Sequence, residues 1–399
     1  MRDFSALSPL CEMYSWSKPY EVLSARNATL RLRDAAGKEQ PFTDMMCGYG
    51  AVNFGHMNPA IDPYADLTSD LVACFFPPSA LTHALWLLNQ LGLESHTVLY
   101  QVGGSFAVTS AIAMAQRIRP GKICTVDGSF HGLGVDTLSA SAHGRGVSLQ
   151  ESAFVTRMDE SVIRLQAGAE FSAWEGVSCL LYEPIQGATG YLPLPIPWLR
   201  ELTRAAQAAG VIVIADEIQC GFYRFGHLSI ATTENIFPDI YLFSKSMTNG
   251  IYPVSAVVYP RVFHDLLPHG DYWNHTFQTA ALGFEAAMCV ARYLDSNNIQ
   301  EQIAGVHSIL SQTVERMKTS PSLGSFYLAG PTLSFESKDG RAGEIARHCE
   351  ERGVLVFAGG RGTRVRVAPP ITIPHDQLTS ALAILEEVSI ASPAMSMSK

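Results

Sequence analysis

The chain has 399 residues, 47% of them hydrophobic and 16% charged, with a formal net charge of −9. This length and balance predict a folded protein with a large core shared by two domains, and exclude a disordered or fibrous chain. The acidic charge, with no basic stripe, excludes nucleic acid as the main partner and leaves a small molecule as the expected ligand.

Residues 1–45 carry a possible hairpin around Ala35-Ala36-Gly37-Lys38 and are expected to pack beside the C-terminal part. Thr97 to Val102 predicts a strand, and Phe106 to Ile118 an alanine-rich helix. Lys122 to Val126, Val177 to Tyr182, Val211 to Ala215, Ile240 to Phe243 and Val254 to Tyr259 predict further strands, with a helix from Pro197 to Ala209 stopped by Gly210. Near-continuous apolar strands alternating with helices predict an α/β fold with a mainly parallel sheet covered on both faces. From Leu282 a long helical pattern runs to Met317, followed by weaker strands at Thr332 to Phe335 and Val354 to Phe357 and a last helix from His375 to about Val388. The expected division is therefore a large domain over 46–285 and a small α+β domain over 286–399, with the N-terminal segment on the latter.

The eight cysteines, at positions 11, 47, 74, 124, 179, 220, 289 and 349, stand singly in apolar company and predict reduced, buried thiols rather than a zinc or redox site. The start Met1-Arg2-Asp3-Phe4-Ser5 lacks the layout of a signal peptide, and no apolar run reaches membrane-spanning length. The expected location is the cytoplasm, with no membrane partner.

In open α/β sheets, ligands gather at the carboxyl ends of strands. The first such end is followed by Gly103-Gly104-Ser105, suited to a phosphate at a helix start, although a glycine turn there is also commonplace. In Asp127-Gly128-Ser129-Phe130-His131-Gly132, Phe130 could stack on a flat ring or belong to the core. Asp216 follows an apolar run, so its carboxylate needs a partner, either a protonated heterocyclic nitrogen or a structural ion pair or helix cap. Lys245, ending an apolar strand among Ser244, Ser246 and Thr248, reads either as an amine that readily loses its proton and attacks carbonyls, or as an ordinary solvated lysine. Together, a phosphate cradle, a stacking ring, a pyridinium partner and an imine-forming lysine are the parts one coenzyme needs.

With these motifs in order, the chain resembles the class III aminotransferases of the ornithine and omega-amino acid type. The likeness runs through Tyr49-Gly50-Ala51-Val52-Asn53-Phe54-Gly55-His56, Glu183-Pro184-Ile185-Gln186-Gly187, Asp216-Glu217-Ile218-Gln219-Cys220-Gly221-Phe222 and Tyr252-Pro253-Val254-Ser255-Ala256. The resemblance implies the aspartate-aminotransferase-like fold (fold type I), with a seven-stranded, mainly parallel sheet and a smaller α+β domain. It also implies pyridoxal 5'-phosphate held as a Schiff base on Lys245, which then shuttles a proton in a ping-pong transfer between an amino donor and a carbonyl acceptor.

By the same resemblance, Asp216 pairs with the ring nitrogen and Gln219 lies near the phenolic oxygen. Ile218 and Phe130 cover the ring faces, Gly104 and Ser105 bind the phosphate, and Glu183 stands beside the site. Thr276 reaches the phosphate of a second subunit, which implies a homodimer. Tyr49 and Arg366 face the substrate, Arg366 on a carboxylate.

Three positions depart from the family pattern. Phe106 stands where a glutamate is usual, Leu133 where many members have arginine, and Ala188 where glutamate-using members carry the acid that neutralises the carboxylate-binding arginine. The last departure brings the pattern nearer to alanine- or pyruvate-using enzymes. The same cofactor steered to decarboxylation, racemisation or amine migration is the alternative chemistry, and a non-catalytic binding protein on this fold is a further one.

Overall fold

A computed structural model describes residues 20–73, 75–141, 160–267, 274–359 and 362–391; Cys11, Cys74 and the Met1–Ser5 start lie outside them. The chain opens with strands β1 (Glu21–Arg26), β2 (Thr29–Arg33) and β3 (Glu39–Asp44), paired antiparallel. Asp34 Oδ1 accepts from the N–H groups of Ala36 and Lys38, which closes the expected hairpin turn, and Gly37 takes the left-handed φ of 86° that the turn needs.

Helix α1 (Pro78–Leu91) leads to β4 (His96–Val102), helix α2 (Gly104–Ile118), β5 (Lys122–Val126), β6 (Val162–Leu165) and β7 (Val177–Tyr182). A short pair, β8 (Ile185–Gln186) and β9 (Leu192–Pro193), precedes helix α3 (Ile196–Ala208), β10 (Ile212–Asp216), β11 (Ile240–Phe243) and β12 (Val254–Pro260). Helices α4 (Ala281–Ser296) and α5 (Ile299–Met317) follow, then β13 (Leu323–Ala329), β14 (Thr332–Ser337), α6 (Ala342–Glu351), β15 (Val354–Leu355), β16 (Phe357–Gly359), β17 (Arg364–Val367) and α7 (His375–Ile390).

Seven strands form one sheet in the order β4-β12-β11-β10-β7-β5-β6, parallel except that β12 runs antiparallel to both of its neighbours. β7, β10 and β11 are buried at every residue, which is why they read as unbroken apolar runs. On one face Ala107, Val108 and Ala111 of α2 pack against Ile123, Leu181 and Ile214. On the other, Leu87, Leu199 and Phe284 from α1, α3 and α4 pack against Leu180, Val213 and Tyr241. The expected division after residue 285 thus falls inside α4, a helix seated on the large sheet.

Two expectations change. The helical pattern from Leu282 to Met317 is two helices, broken because Asn297 Nδ2 donates to the Tyr293 carbonyl (2.8 Å) and Asn298 Oδ1 accepts from Glu301 N–H (3.2 Å) as an N-cap. The segment Val354 to Phe357 is split between sheets: β15 pairs parallel with β3, and β16 joins β13-β14-β17. Ala28 and Met45 share a core with Val306, Leu333 and Leu382, so the N-terminal strands rest on the C-terminal elements. Among the described residues, no helix is long and apolar enough to cross a membrane, and Cys47, Cys124, Cys179, Cys220, Cys289 and Cys349 are free, buried thiols.

Candidate active site

The carboxyl ends of β5, β7, β10 and β11, together with the start of α2, enclose a cavity of about 160 Å³. Eight of the expected residues line it: Gly104, Ser105, Phe130, Glu183, Asp216, Ile218, Gln219 and Lys245.

At one end the chain passes from β4 through Gly103, at φ 79°, straight into α2, so the helix start faces the cavity. A Cβ on Gly104 would lie 3.0 Å from two atoms of Ile218, and one on Gly132 would lie 2.4 Å from Ser105 Oγ. The site therefore depends on bare backbone at both positions.

Elsewhere in the cavity lies Asp216, 3% exposed, whose Oδ1 accepts from Ile218 N–H (3.1 Å) and whose Oδ2 meets His131 Nδ1 (2.8 Å). His131 is itself buried, and its Nε2 meets Thr125 Oγ1 at 3.2 Å, so the ring is fixed from both sides. Glu183 accepts from the N–H groups of Phe130 (2.7 Å) and Gly187 (3.3 Å), and burial pushes its carboxyl well up despite His131 nearby. Burial likewise lowers the Lys245 ammonium to about 8, against the opposing pull of Glu183 and Asp216. Neither carboxylate forms an ion pair with Lys245, so the amine is left available.

Three expected residues stand off the cavity wall. The Tyr49 carbonyl accepts from Gln219 Nε2 (2.8 Å), and its ring lies 4.3 Å from that of Phe357. Arg366, 7% exposed, donates from Nη1 to the Gly187 carbonyl (2.8 Å), sits 4.8 Å from the Phe357 ring and 5.3 Å from the Tyr191 ring, and keeps a buried Nε without a partner. Among the described residues no carboxylate pairs with Arg366. Thr276 is exposed at the start of a single 3-10 turn and does not line its own chain's cavity. Of the departures from the family pattern, Phe106 meets the His275 ring in a tilted contact at 5.6 Å, and Leu133 is 37% exposed.

Reading the sequence missed His131, although it adjoins Phe130; its value depends on Asp216, 85 residues away. It also passed over Glu217, which turns away from the cavity. The Glu217 carboxylate accepts from Ser229 Oγ (2.5 Å), Ile230 N–H (2.5 Å) and Ala231 N–H (3.3 Å), holding the turn after β10, and burial raises it to about 7. Its folded pKa exceeds the ordinary 4.5, so its contribution to stability is full below about 4.5 and is lost as pH rises through about 7. Glu217→Gln places an amide donor against these donors. It is expected to cost about 1–3 kcal/mol at neutral pH and to flatten the pH dependence between 4.5 and 7, as read by denaturant titration.

The family model for class III aminotransferases matches residues 13–388. The chain belongs to the class III aminotransferases. Among its relatives it is 25% identical to the ornithine aminotransferase of Oceanobacillus iheyensis over 388 residues, covering 93% of this chain and 94% of that one. It is 26% identical to the diaminobutyrate–2-oxoglutarate transaminase of Wolinella succinogenes over 422 residues, covering 97% and 95%. In fold it matches the ornithine aminotransferase of Toxoplasma gondii, seen with partial occupancy of PLP in its active site, with a TM-score of 0.82, 20% identity and coverage of 97% and 94%.

This aminotransferase is pyridoxal-phosphate dependent, with the fold type I architecture. Its cavity suits that group: a backbone cradle at a helix start for the phosphate, apolar Phe130 and Ile218 for the ring, a buried carboxylate for the ring nitrogen and, for the aldehyde, an amine without an ion pair among the described residues.

Proposed function

We propose that this aminotransferase exchanges an amino group between carboxylate-bearing donors and acceptors, with Lys245 as the reacting amine and Arg366 as the carboxylate holder. The observation that carries this reading is a half-buried lysine, holding its proton more loosely than usual and without an ion pair among the described residues, that shares one cavity with Asp216 and Glu183. When bound, pyridoxal phosphate supplies an electrophilic carbon and a conjugated ring that accepts the electron pair of the substrate carbon.

The protein does the rest. Asp216, oriented by His131, holds a proton at the ring nitrogen. Gly104 and Ser105 anchor the phosphate, Phe130 and Ile218 confine the ring, and Gln219 donates beside the phenolic oxygen. Lys245 Nζ takes the proton from the amine-bearing carbon of the substrate and returns it after the nitrogen has changed hands. Glu183, held by two backbone N–H groups, stays beside this path and keeps the Phe130 and Gly187 backbones in place.

Arg366 favours a carboxylate because its guanidinium is buried, has no carboxylate partner among the described residues and keeps Nε without an acceptor. Arg366→Met is expected to raise the KM for a carboxylate-bearing donor about 10²-fold, the loss of one charged hydrogen-bonded contact of about 2–3 kcal/mol. An amine without a carboxylate is expected to change less than threefold. Steady-state kinetics with both donors decides the matter, and an unchanged carboxylate KM sinks this assignment.

A homodimer in which Thr276 serves the partner's phosphate is part of the reading. Thr276 and Phe277 are exposed, and so are Phe75, Phe76 and Phe106, an apolar face more typical of an interface than of open surface. The free buried thiols support a cytoplasmic location.

A further inference from the structure

Lys245 has a φ of +49°, in the left-handed region that a side chain occupies only when its surroundings impose it. The backbone that meets it is equally unusual: Cys47, Gly48, Tyr49 and Gly50 have φ of 49°, 54°, 60° and 78°, one turn of left-handed helix. Four side chains of the lysine turn make its bonds. Two stay local, Ser244 Oγ donating to the Val254 carbonyl (2.9 Å) and Thr248 Oγ1 to the Tyr252 carbonyl (2.5 Å), and these shape the connection between β11 and β12.

The other two cross the molecule. Asn249 accepts from Phe54 N–H (3.0 Å) and donates to the Gly55 carbonyl (2.9 Å), docking the far end of the lysine turn on the segment after Tyr49. Ser246, 2% exposed, donates from Oγ to the Gly50 carbonyl at 2.6 Å, next to Lys245 on one side and next to Tyr49 on the other.

We infer that Ser246 is a positioning residue, its hydroxyl locking the strained backbone of Lys245 against the left-handed turn that carries Tyr49, so that the reacting amine and the substrate-side ring keep one fixed relation. The inference rests on the reading of Lys245 as the reacting amine. Asn249 holds the two segments together by its own pair of bonds, so loss of Ser246 Oγ leaves them docked and frees only the lysine end. Burial and the charges of Glu183, Asp216 and Arg366 set the basicity of Lys245, and all of these act through where the amine sits.

The experiment compares the parent with Ser246→Ala and with Ser246→Thr, which keeps the hydroxyl. In fully loaded enzyme, single-turnover rates of the first half-reaction are expected to fall about 10–100-fold in Ser246→Ala, with KM within about threefold, since a displacement near 1 Å costs about that much. Ser246→Thr should stay within about fivefold of the parent.

The second readout is independent of turnover. In the full-length chain without cofactor, the pH dependence of Lys245 acylation is followed by peptide mass spectrometry. Its midpoint is expected to rise from about 8 in the parent by roughly one pH unit or more in Ser246→Ala, towards the ordinary lysine value of about 10.4. Rates and midpoint like those of the parent in Ser246→Ala, or equal losses in both variants, overturn the inference. Borohydride reduction of the parent separates the two levels of the claim. A pyridoxyl adduct on Lys245 upholds the underlying reading whatever Ser246 does, and an adduct elsewhere overturns both.

Discussion

Lys245→Ala is expected to lower turnover by about 10⁴-fold or more, with the circular dichroism and thermal midpoint of the parent retained. The size follows from losing two roles at once, the amine that captures the aldehyde and the base that moves the proton, each with a large factor of its own. The side chain is half-buried and makes no ion pair among the described residues, so truncation removes a partly desolvated amine rather than breaking a structural pair. The lowered pKa adds a signature. With a value of about 8, roughly a tenth of the amine is unprotonated at pH 7, against well under a thousandth for an ordinary lysine. Cofactor uptake by the empty protein should therefore quicken with pH and level off above about 8 in the parent, and form no covalent adduct in the variant. Stopped-flow absorbance measures it, and substantial residual transamination in Lys245→Ala would falsify the assignment.

Asp216→Asn should be the second-largest loss, about 10²–10⁴-fold in kcat with weaker cofactor retention. The substitution keeps the shape of the side chain, so His131 and Ile218 N–H retain neighbours of the same size. What goes is the charge that faces the ring nitrogen, and with it the proton that makes the ring an electron sink. Half-reaction rates at saturating cofactor check this. A variant within tenfold of the parent would mean that Asp216 serves structure and that another group holds the nitrogen.

Much of this site could be read from residue order, because each element ends an apolar run on a polar side chain. Asp216 and Lys245 stand out as charges after Ile214-Ala215 and Leu242-Phe243, where burial without a partner is costly. The sheet was legible for the same reason in β7, β10 and β11. β6 was not, since Val162-Ile163-Arg164-Leu165 lies at the sheet edge and carries an arginine within a four-residue strand. The break between α4 and α5 was written as Ser296-Asn297-Asn298, but a strong apolar period on both sides masks such a cap. His131, Ser246 and the turn at 47–50 lay beyond reach for a different reason. Each owes its role to a group 85 or more residues away, brought near only by the completed sheet. Arg366 shows the middle case: its motif marked it, yet the ring stack with Phe357 and the idle Nε belong to the fold alone.

The place of β4 at the rim of the sheet has a cost during synthesis. Its single strand partner is β12, and the residues they pair, His96 to Val102 with Val254 to Pro260, are some 150 positions apart. A ribosome adding about 5–20 residues per second leaves the apolar edge of β4 without its mate for about 8–30 s. Until then that edge is open to pairing with any other nascent chain. The sooner β12 follows, the shorter this exposure, so slower translation between residues 102 and 254 is expected to lower the yield of folded enzyme.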